Sequence, residues 1–432
     1  MRAVTSSGAR TGARAFGRWR LFALAFIATS LSAGAVYGWP PLRHLLRAEN
    51  ATLSERRLGR HFVAGSWSVQ GGRFLAGWSR DRCGARFTAC ACLMMVVLGA
   101  SAVATARPTD DAMLTMGMFA MGLGSGTQLC VQPVAALFPE CSSTIMSALS
   151  GAFQISGLVF LALTAGEDRE VGFYAYAGVA GALLVACWCM LPNGSSYHEV
   201  VKAEDGAPAH ETGMPHKPPP RKEGLENGHT LWEQLRSAEY IGLVCWFCVV
   251  VLPLQFYISA IGYQLELKGD DTGEYSDIFA VAYGSVAIFA AYGGRVADKI
   301  GFGWCQALST ASTALSYVVL LLPASAGLGV QVFGMALYSL GRLFVFAMYF
   351  SNVGRRFGFE HFGTLCGIGL LKSAIWSLLQ YPLLSWAVDK GPHGANALCI
   401  ALLCATLPYT WWLGVREHAE RRRQIVSQAT TA

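Results

Sequence analysis

The chain reads as an all-α integral membrane protein: twelve transmembrane helices in two six-helix bundles, with both termini cytosolic. Three observations predict this. Of its 432 residues 53% are hydrophobic and 14% charged, at a mean hydropathy of +0.39, too apolar for a water-soluble domain and too regularly interrupted for a single core. A signature of glycine, three residues, aspartate, a basic residue, one more residue and glycine occurs twice, from Gly77 to Gly84 and from Gly294 to Gly301, with every fixed position offset by 217 residues. A polar, proline-bearing stretch separates the two copies.

Runs of about 20 apolar residues, each able to cross the hydrocarbon as a helix, can be counted along the chain. The first half holds six, near 20–41, 59–79, 87–106, 112–137, 143–165 and 171–191, and the second six more, near 239–262, 277–297, 304–323, 327–353, 361–386 and 394–414. Each signature closes the second run of its half. The expected division is a basic cytosolic N-terminus over 1–19, a bundle over 20–191, a cytosolic linker over 192–236, a second bundle over 237–414 and a tail over 415–432. The linker has seven acids, five Lys or Arg and the run Pro218 to Pro220, and amphipathic Leu231 to Leu235 predicts a short surface helix before the seventh span. Glycine, at 48 residues, is abundant enough to let helices approach closely.

Counting Lys and Arg with both termini inside gives 21 on inner segments and 9 on outer loops, which favours that orientation. Asn50-Ala-Thr52 in the first outer loop is a glycosylation sequon, whereas Asn193-Gly-Ser195 falls on the inner side and is expected to stay unmodified. The first twenty residues contain five arginines and no acid ahead of an apolar run and Ala33-Gly-Ala35, a pattern that mimics a cleavable signal. Cleavage would leave the first half one helix short, so a retained first span is preferred. The Arg and Ser/Thr bias also resembles a transit sequence, so an endomembrane or organellar membrane stands as the alternative to the expected plasma membrane. Thirteen cysteines, mostly inside apolar runs, read as small hydrophobes, and Cys245-Trp-Phe-Cys248 lacks the context of a redox or metal site.

The aspartate of the signature has an electrostatic use. At a tight loop between helices a carboxylate can face the positive N-terminal end of a neighbouring helix while Arg or Lys pairs with it, latching one conformation. Gly77 and Gly294 permit close packing; Gly84 and Gly301 permit the turn. Written as Gly77-x-x-x-Asp81-Arg82-x-Gly84-x-Arg86, the first copy resembles the hallmark loop of the major facilitator superfamily. Tyr37-Gly-Trp-Pro40, Leu137-Phe-Pro139 with Ser142 to Phe153, Gln255-Phe-Tyr257, Glu360 to Gly367 and Leu379 to Leu383 resemble the facilitative L-type amino acid transporters and their apicomplexan relatives. The resemblance spans about Leu21 to Gly414, the linker excepted. It implies alternating access with an amino acid as substrate, and a gating set of Asp81, Arg82, Arg86, Asp298 and Lys299. The same branch contains a purine nucleobase carrier. Pro139-Glu-Cys141, after the fourth span, lacks the basic residues usual there in the family.

Independently of family, charge inside a span is expensive and marks function. Three basic residues qualify, Arg73, Arg342 and Lys372, while all 27 acids lie in loops, in the linker or near helix ends. Without a deep carboxylate there is no obvious proton relay, which favours a facilitator or exchanger. Arg342, at helical spacing from Tyr338 and Phe346, is the first candidate for a substrate carboxylate, because a guanidinium binds both oxygens in parallel; the competing reading has it bonded only to neighbouring helices. Lys372 could contribute field to the cavity but is expected to snorkel, and Arg73, one turn from Gly77, is expected to pair structurally near Asp81, with substrate contact as its second reading. Ser30, Tyr37, Gln128, Gln132, Gln255, Tyr257 and Ser259 could ring the midplane or equally well bond helix to helix. With no buried acid, a substrate ammonium would rest on carbonyls at broken helices or on the faces of Tyr257 and Tyr338. No cofactor, metal or nucleic acid is implied; the expected partners are the lipid bilayer and a small solute, and the expected state is a monomer. Organic-anion or nucleobase transport and a non-transporting receptor remain open, and no enzymatic motif is found.

Overall fold

The computed structural model describes residues 3–50, 52–107, 109–138, 141–166, 168–192, 230–290, 292, 296, 299–358 and 361–431. All twelve expected runs carry helix, and no strand occurs among the described residues. Seven helices are long and apolar enough to cross a membrane, and a pair bent by 41°, Gly17–Ser32 with Ala35–Glu49, adds an eighth as the first span. The other four are the second (Glu55–Cys83), the fourth (Asp111–Leu123, Gly126–Val131 and a 3-10 turn Gln132–Leu137), the eighth (beginning at Glu274–Ser285) and the ninth (Phe302–Leu320). These are rich in Gly, Ser, Thr and Gln, or carry charge, because much of their surface faces protein. Gly65, Ser66, Ser68, Gln70, Gly72 and Arg73 are all buried in the second span.

Several boundaries differ from expectation for physical reasons. The first helix begins at Ala3, and the last runs from Pro392 to Thr431, well past the expected end at 414. No proline or cap stops the Ala-, Arg- and Glu-rich sequence at either place, so the helix propagates out of the apolar zone. The surface helix before the seventh span is Leu231–Arg236, started by a capping box of Thr230 and Glu233. Asn193, Pro218 to Pro220 and Asn227-Gly228 lie outside the described residues, as do Pro139, Glu140, Glu360, Gly294 and Asp298. The two glycines that close the signatures, Gly84 and Gly301, take φ of 88° and 102°, a conformation a side chain rarely adopts. All thirteen cysteines are unbridged, Cys245 and Cys248 included.

Two seams join the halves, beside the contact of the first span with the seventh and eighth. The second span packs against the eleventh (Phe362–Ser377 and Gln380–Lys390), and the fifth (Ser142–Ile155 and Leu158–Thr164) against the eighth and tenth (Gly329–Phe357). Missing side chains make this approach possible. A Cβ on Gly77 would lie 2.3 Å from the Gly363 carbonyl oxygen, and one on Gly157 2.6 Å from the Tyr283 ring. Midway along the first seam the Gln380 amide donates to the Ser66 hydroxyl at 3.0 Å, and at its far end Arg56 pairs with Asp389.

Both ends of the interface are sealed. At the end where the termini lie, the Asp81 carboxylate accepts from the backbone N–H and hydroxyl of Thr364, at 3.0 and 2.7 Å, where the eleventh span starts. This places an anion on a helix N-terminus. Arg80 is the basic residue that pairs with it, at 3.0 Å. Arg82 lies over the Trp78 ring instead, 4.5 Å from its centroid, and Arg86 donates to the Leu191 carbonyl at 2.7 Å, so neither reaches the other half. Lys299 is exposed, and its signature aspartate, Asp298, is outside the described residues. At the opposite end Arg43, only 1% exposed, bonds Glu55 of the first half and Glu266 of the second, each at 2.7 Å, while Arg47 adds bonds of 2.5 and 2.7 Å to the same two carboxylates. Asn50, just beyond that helix, accepts from the Thr52 hydroxyl at 2.7 Å.

The seam between second and eleventh spans predicts a cross-linking result. Cβ atoms built at Gly71 and Ala374 come within 3.6 Å, inside the range of a disulfide. A chain carrying Gly71→Cys and Ala374→Cys is expected to cross-link rapidly under oxidation, and adding Gly77→Val to slow this by about tenfold or more. Equal rates would show that the close approach at Gly77 does not hold the seam.

Candidate functional site

The first span breaks where the sequence turns from an apolar helix into Gly34, the 3-10 turn Ala35–Gly38 and then Pro40 and Pro41, which open the next helical segment. Cβ atoms at Gly34 and Gly38 would meet the backbone of the fifth span at 2.5 and 2.3 Å. The break therefore presses against that span and delivers Tyr37 to the interface between the halves. Tyr37 is fully buried, and its hydroxyl accepts from the Gln255 amide of the seventh span (Ala238–Glu266) at 2.8 Å and from Gln70 of the second at 3.4 Å.

Arg342 comes from the middle of the tenth span. Its guanidinium lies 4.1 Å from the centroid of Tyr37 and 5.0 Å from that of Phe346, and its Nε donates to the Tyr283 hydroxyl at 3.0 Å. The two terminal nitrogens, Nη1 and Nη2, are buried without a partner in the protein. Facing it from the first half, Arg73 lies 4.6 Å over Phe153 and donates through Nη2 to the Gln128 oxygen at 2.7 Å. Phe153 in turn stacks near Phe346, with centroids 6.2 Å apart, and near Tyr37 at 5.7 Å. Two guanidiniums thus flank one aromatic cluster that joins the halves.

Beside that cluster the side-chain oxygens of Gln70, Gln154 and Gln255 are unpaired, and both amide atoms of Gln132 and the hydroxyls of Ser30 and Ser259 are likewise buried without a partner. Folded proteins leave few such groups, and unpaired amides beside unpaired guanidiniums have the character of a binding site. Among the described residues Asp270 is the one buried acid, and it sits in the loop after the seventh span. The site is cationic, amide-lined and aromatic.

Of the residues singled out in the sequence, Arg342, Tyr37, Gln128 and Gln255 meet directly around the cluster, and Ser30, Gln132 and Ser259 are buried with unpaired atoms. Tyr338 and Tyr257 differ. Their rings stack on one another, centroids 4.0 Å apart, and the Tyr338 hydroxyl donates to the Leu254 carbonyl of the seventh span at 2.5 Å. The pair therefore ties the tenth span to the seventh, and one face of each ring is taken by the other. Arg73 does not pair with Asp81, whose acceptors are taken by Thr364 and Arg80; it is buried beside Gln128. Lys372 is exposed. Tyr283, Phe153 and Gln70 were not anticipated. Gln70 could have been, since Ser66, Gln70 and Arg73 recur at helical spacing in an otherwise apolar run.

Comparison with known proteins agrees with this architecture. The sequence profile described as Major Facilitator Superfamily matches residues 21–380. The bovine (Bos taurus) protein named equilibrative nucleobase transporter 1 is 24% identical over 449 residues, covering 87% of this chain and 90% of its own length. Among solved structures, the human organic anion transporter TETRAN superposes with a TM-score of 0.66 at 16% identity, over 91% of this chain and 99% of that one. The proton:xylose symporter XylE gives 0.65 at 13% identity, over 93% and 96%. The nucleoside transporter NupG gives 0.60 at 10%, over 91% and 99%. These relatives carry the superfamily part of the resemblance and give its amino acid branch no support.

The shared hydroxyl yields a prediction on stability. Tyr37→Phe strands the amides of Gln255 and Gln70, at a cost of about 1–3 kcal/mol. The thermal midpoint in detergent is expected to fall by about 2 °C or more, and Gln255→Leu in the same chain to recover part of the loss. An unchanged midpoint in Tyr37→Phe would deny the bond its structural weight.

Proposed function

The chain belongs to the Major Facilitator Superfamily, and from that premise we propose that it is a facilitative carrier of purine nucleobases, bound between its two halves at Arg342. It is a multi-pass membrane transporter of a small molecule and not an enzyme. One observation carries the substrate reading: a buried guanidinium with two unpaired terminal nitrogens, set among amides and aromatic faces with no acid among the described residues of the cluster. A 6-oxopurine presents O6 and N7 side by side, the acceptor pair that a guanidinium matches with two parallel bonds. Its flat ring suits Tyr37, Phe153 and Phe346, and the glutamines supply both donors and acceptors for the remaining edges. The name of the bovine relative supports the same class.

An amino acid is the second reading, because a carboxylate also satisfies the guanidinium. Its ammonium, however, would find no carboxylate nearby, which ranks this reading below a nucleobase. The cycle follows from the two seals. Opening toward the cytosol, the side assigned to the termini by the Lys and Arg count, breaks Asp81 from Thr364; opening outward separates Glu266 from Arg43 and Arg47. With both formed, as here, the solute is enclosed. No titratable acid lies in the cluster among the described residues, so flux follows the solute gradient without a coupled proton.

Purified protein in vesicles, given radiolabelled hypoxanthine, leucine and lactate in parallel, tests the reading. Saturable hypoxanthine uptake is expected, equal with and without a pH gradient, competed at least about tenfold better by guanine than by adenine, whose exocyclic amine replaces the O6 acceptor. Arg342→Met should abolish it while the protein stays monodisperse. Leucine uptake without hypoxanthine uptake would turn the assignment to amino acids; binding without flux would turn it to a receptor. For the outer seal, Glu266→Gln leaves Arg43 and Arg47 with one shared carboxylate, and is expected to speed maleimide labelling of a Ser259→Cys chain from outside by about threefold or more. An unaltered rate would remove Glu266 from the gate.

A further inference from the structure

Arg73 lies in the first half at full burial, and the fold gives it none of the partners that ordinarily hold such a residue. Asp81 is engaged elsewhere, and the one protein hydrogen bond among the described residues is to Gln128, whose own amide donates to the Leu149 carbonyl at 3.4 Å and so is held in place. Its Nε and Nη1 are unpaired, as are both terminal nitrogens of Arg342. Two aromatic rings bridge the two guanidiniums: Arg73 lies over Phe153, Phe153 is 6.2 Å from Phe346, and Phe346 lies under Arg342. Two like charges in a low-dielectric enclosure repel, and each has lost its hydration. Arg73 rests on Phe153 and Phe350, at 4.6 and 5.9 Å, contacts that recover only part of that loss. An anion reaching both guanidiniums removes the repulsion and pairs the four free nitrogens.

We propose that Arg73 is a second substrate-binding residue, opposed to Arg342 across the interface, and that the two together select a flat solute with negative charge and acceptors on two separate edges. Within the nucleobase reading on which this rests, the preferred class is an oxidised purine anion, such as urate, over a neutral purine with one oxo group. The structural alternative, that Arg73 only anchors Gln128, makes a different prediction, because it would affect all solutes alike.

The test compares urate with hypoxanthine in vesicles containing the full chain. The unaltered protein is expected to take both and to show the lower KM for urate. Arg73→Gln, which keeps a donor but no charge, should raise the urate KM by about tenfold or more and change that for hypoxanthine by less than about threefold. Arg73→Lys should restore urate uptake in part, and thermal midpoints of both variants check that they fold. Parallel loss of both solutes, or hypoxanthine uptake without urate uptake in the unaltered chain, overturns the role of Arg73 and leaves the carrier reading standing. If neither purine moves, the nucleobase reading fails and succinate against lactate decides Arg73 in the same vesicles. Selective loss of succinate in Arg73→Gln supports the two-ended site; parallel loss, or no uptake of either acid, overturns it.

Discussion

The rest of this protein is arranged around a charge it does not neutralise. Arg342 sits at the centre of the interface with one hydrogen bond, to Tyr283, and the face of Tyr37 beneath it. A cation–π contact in a dry site recovers about 2 kcal/mol, whereas desolvating an ion costs several. The surrounding aromatic rings deepen the deficit by excluding water, which also strengthens any later interaction with an acceptor. The broken first span and the pressed backbone at Gly34 and Gly38 bring Tyr37 into this enclosure. What the fold leaves unpaid here is available to a ligand.

Charge elsewhere is segregated. The ion pairs among the described residues lie at the ends of spans: Arg43 and Arg47 with Glu55 and Glu266 at one end, and Arg80 with Asp81 at the other. Acids are thus kept for the seals and withheld from the middle. On the proposed reading, opening and closing involve carboxylates and recognition involves guanidiniums and amides, so that the two can be altered separately. Tyr37 is the exception. Its hydroxyl is shared by Gln70 and Gln255 from opposite halves, and Gln154 of the fifth span donates to the Ser339 carbonyl of the tenth at 3.0 Å, so the candidate site and the interface share these bonds.

Much of this was legible in the sequence, and the reasons for the remainder are physical. Hydrophobic runs and the repeated signature located the twelve spans because bilayer thickness and backbone hydrogen bonding leave little freedom there. The cost of charge in hydrocarbon drew attention to Arg342. The position of Asp81 at a helix N-terminus followed from the signature, but which basic residue would pair with it did not: adjacent Arg80 and Arg82 point to opposite sides of a helix, and only the packing of the eleventh span decides between them. Tyr338 and Tyr257 carried the right spacing for a binding face, yet their rings stack on one another and the Tyr338 hydroxyl goes to a carbonyl of the seventh span, a pairing visible only in three dimensions. Tyr283 and Phe153 gave no signal, since an aromatic residue in an apolar run reads as core until its neighbour is known.

The hydrogen bond from Gln380 to Ser66, halfway along the seam between second and eleventh spans, has a mechanical meaning. Above and below it the same two helices are joined by contacts that the proposed cycle breaks in turn, and a rocking motion about this height would leave this one in place. A fulcrum at that height makes the two mouths complementary, each widening only as the other narrows. Protection against leakage then comes from leverage, and would persist even while either set of ionic clasps was momentarily undone.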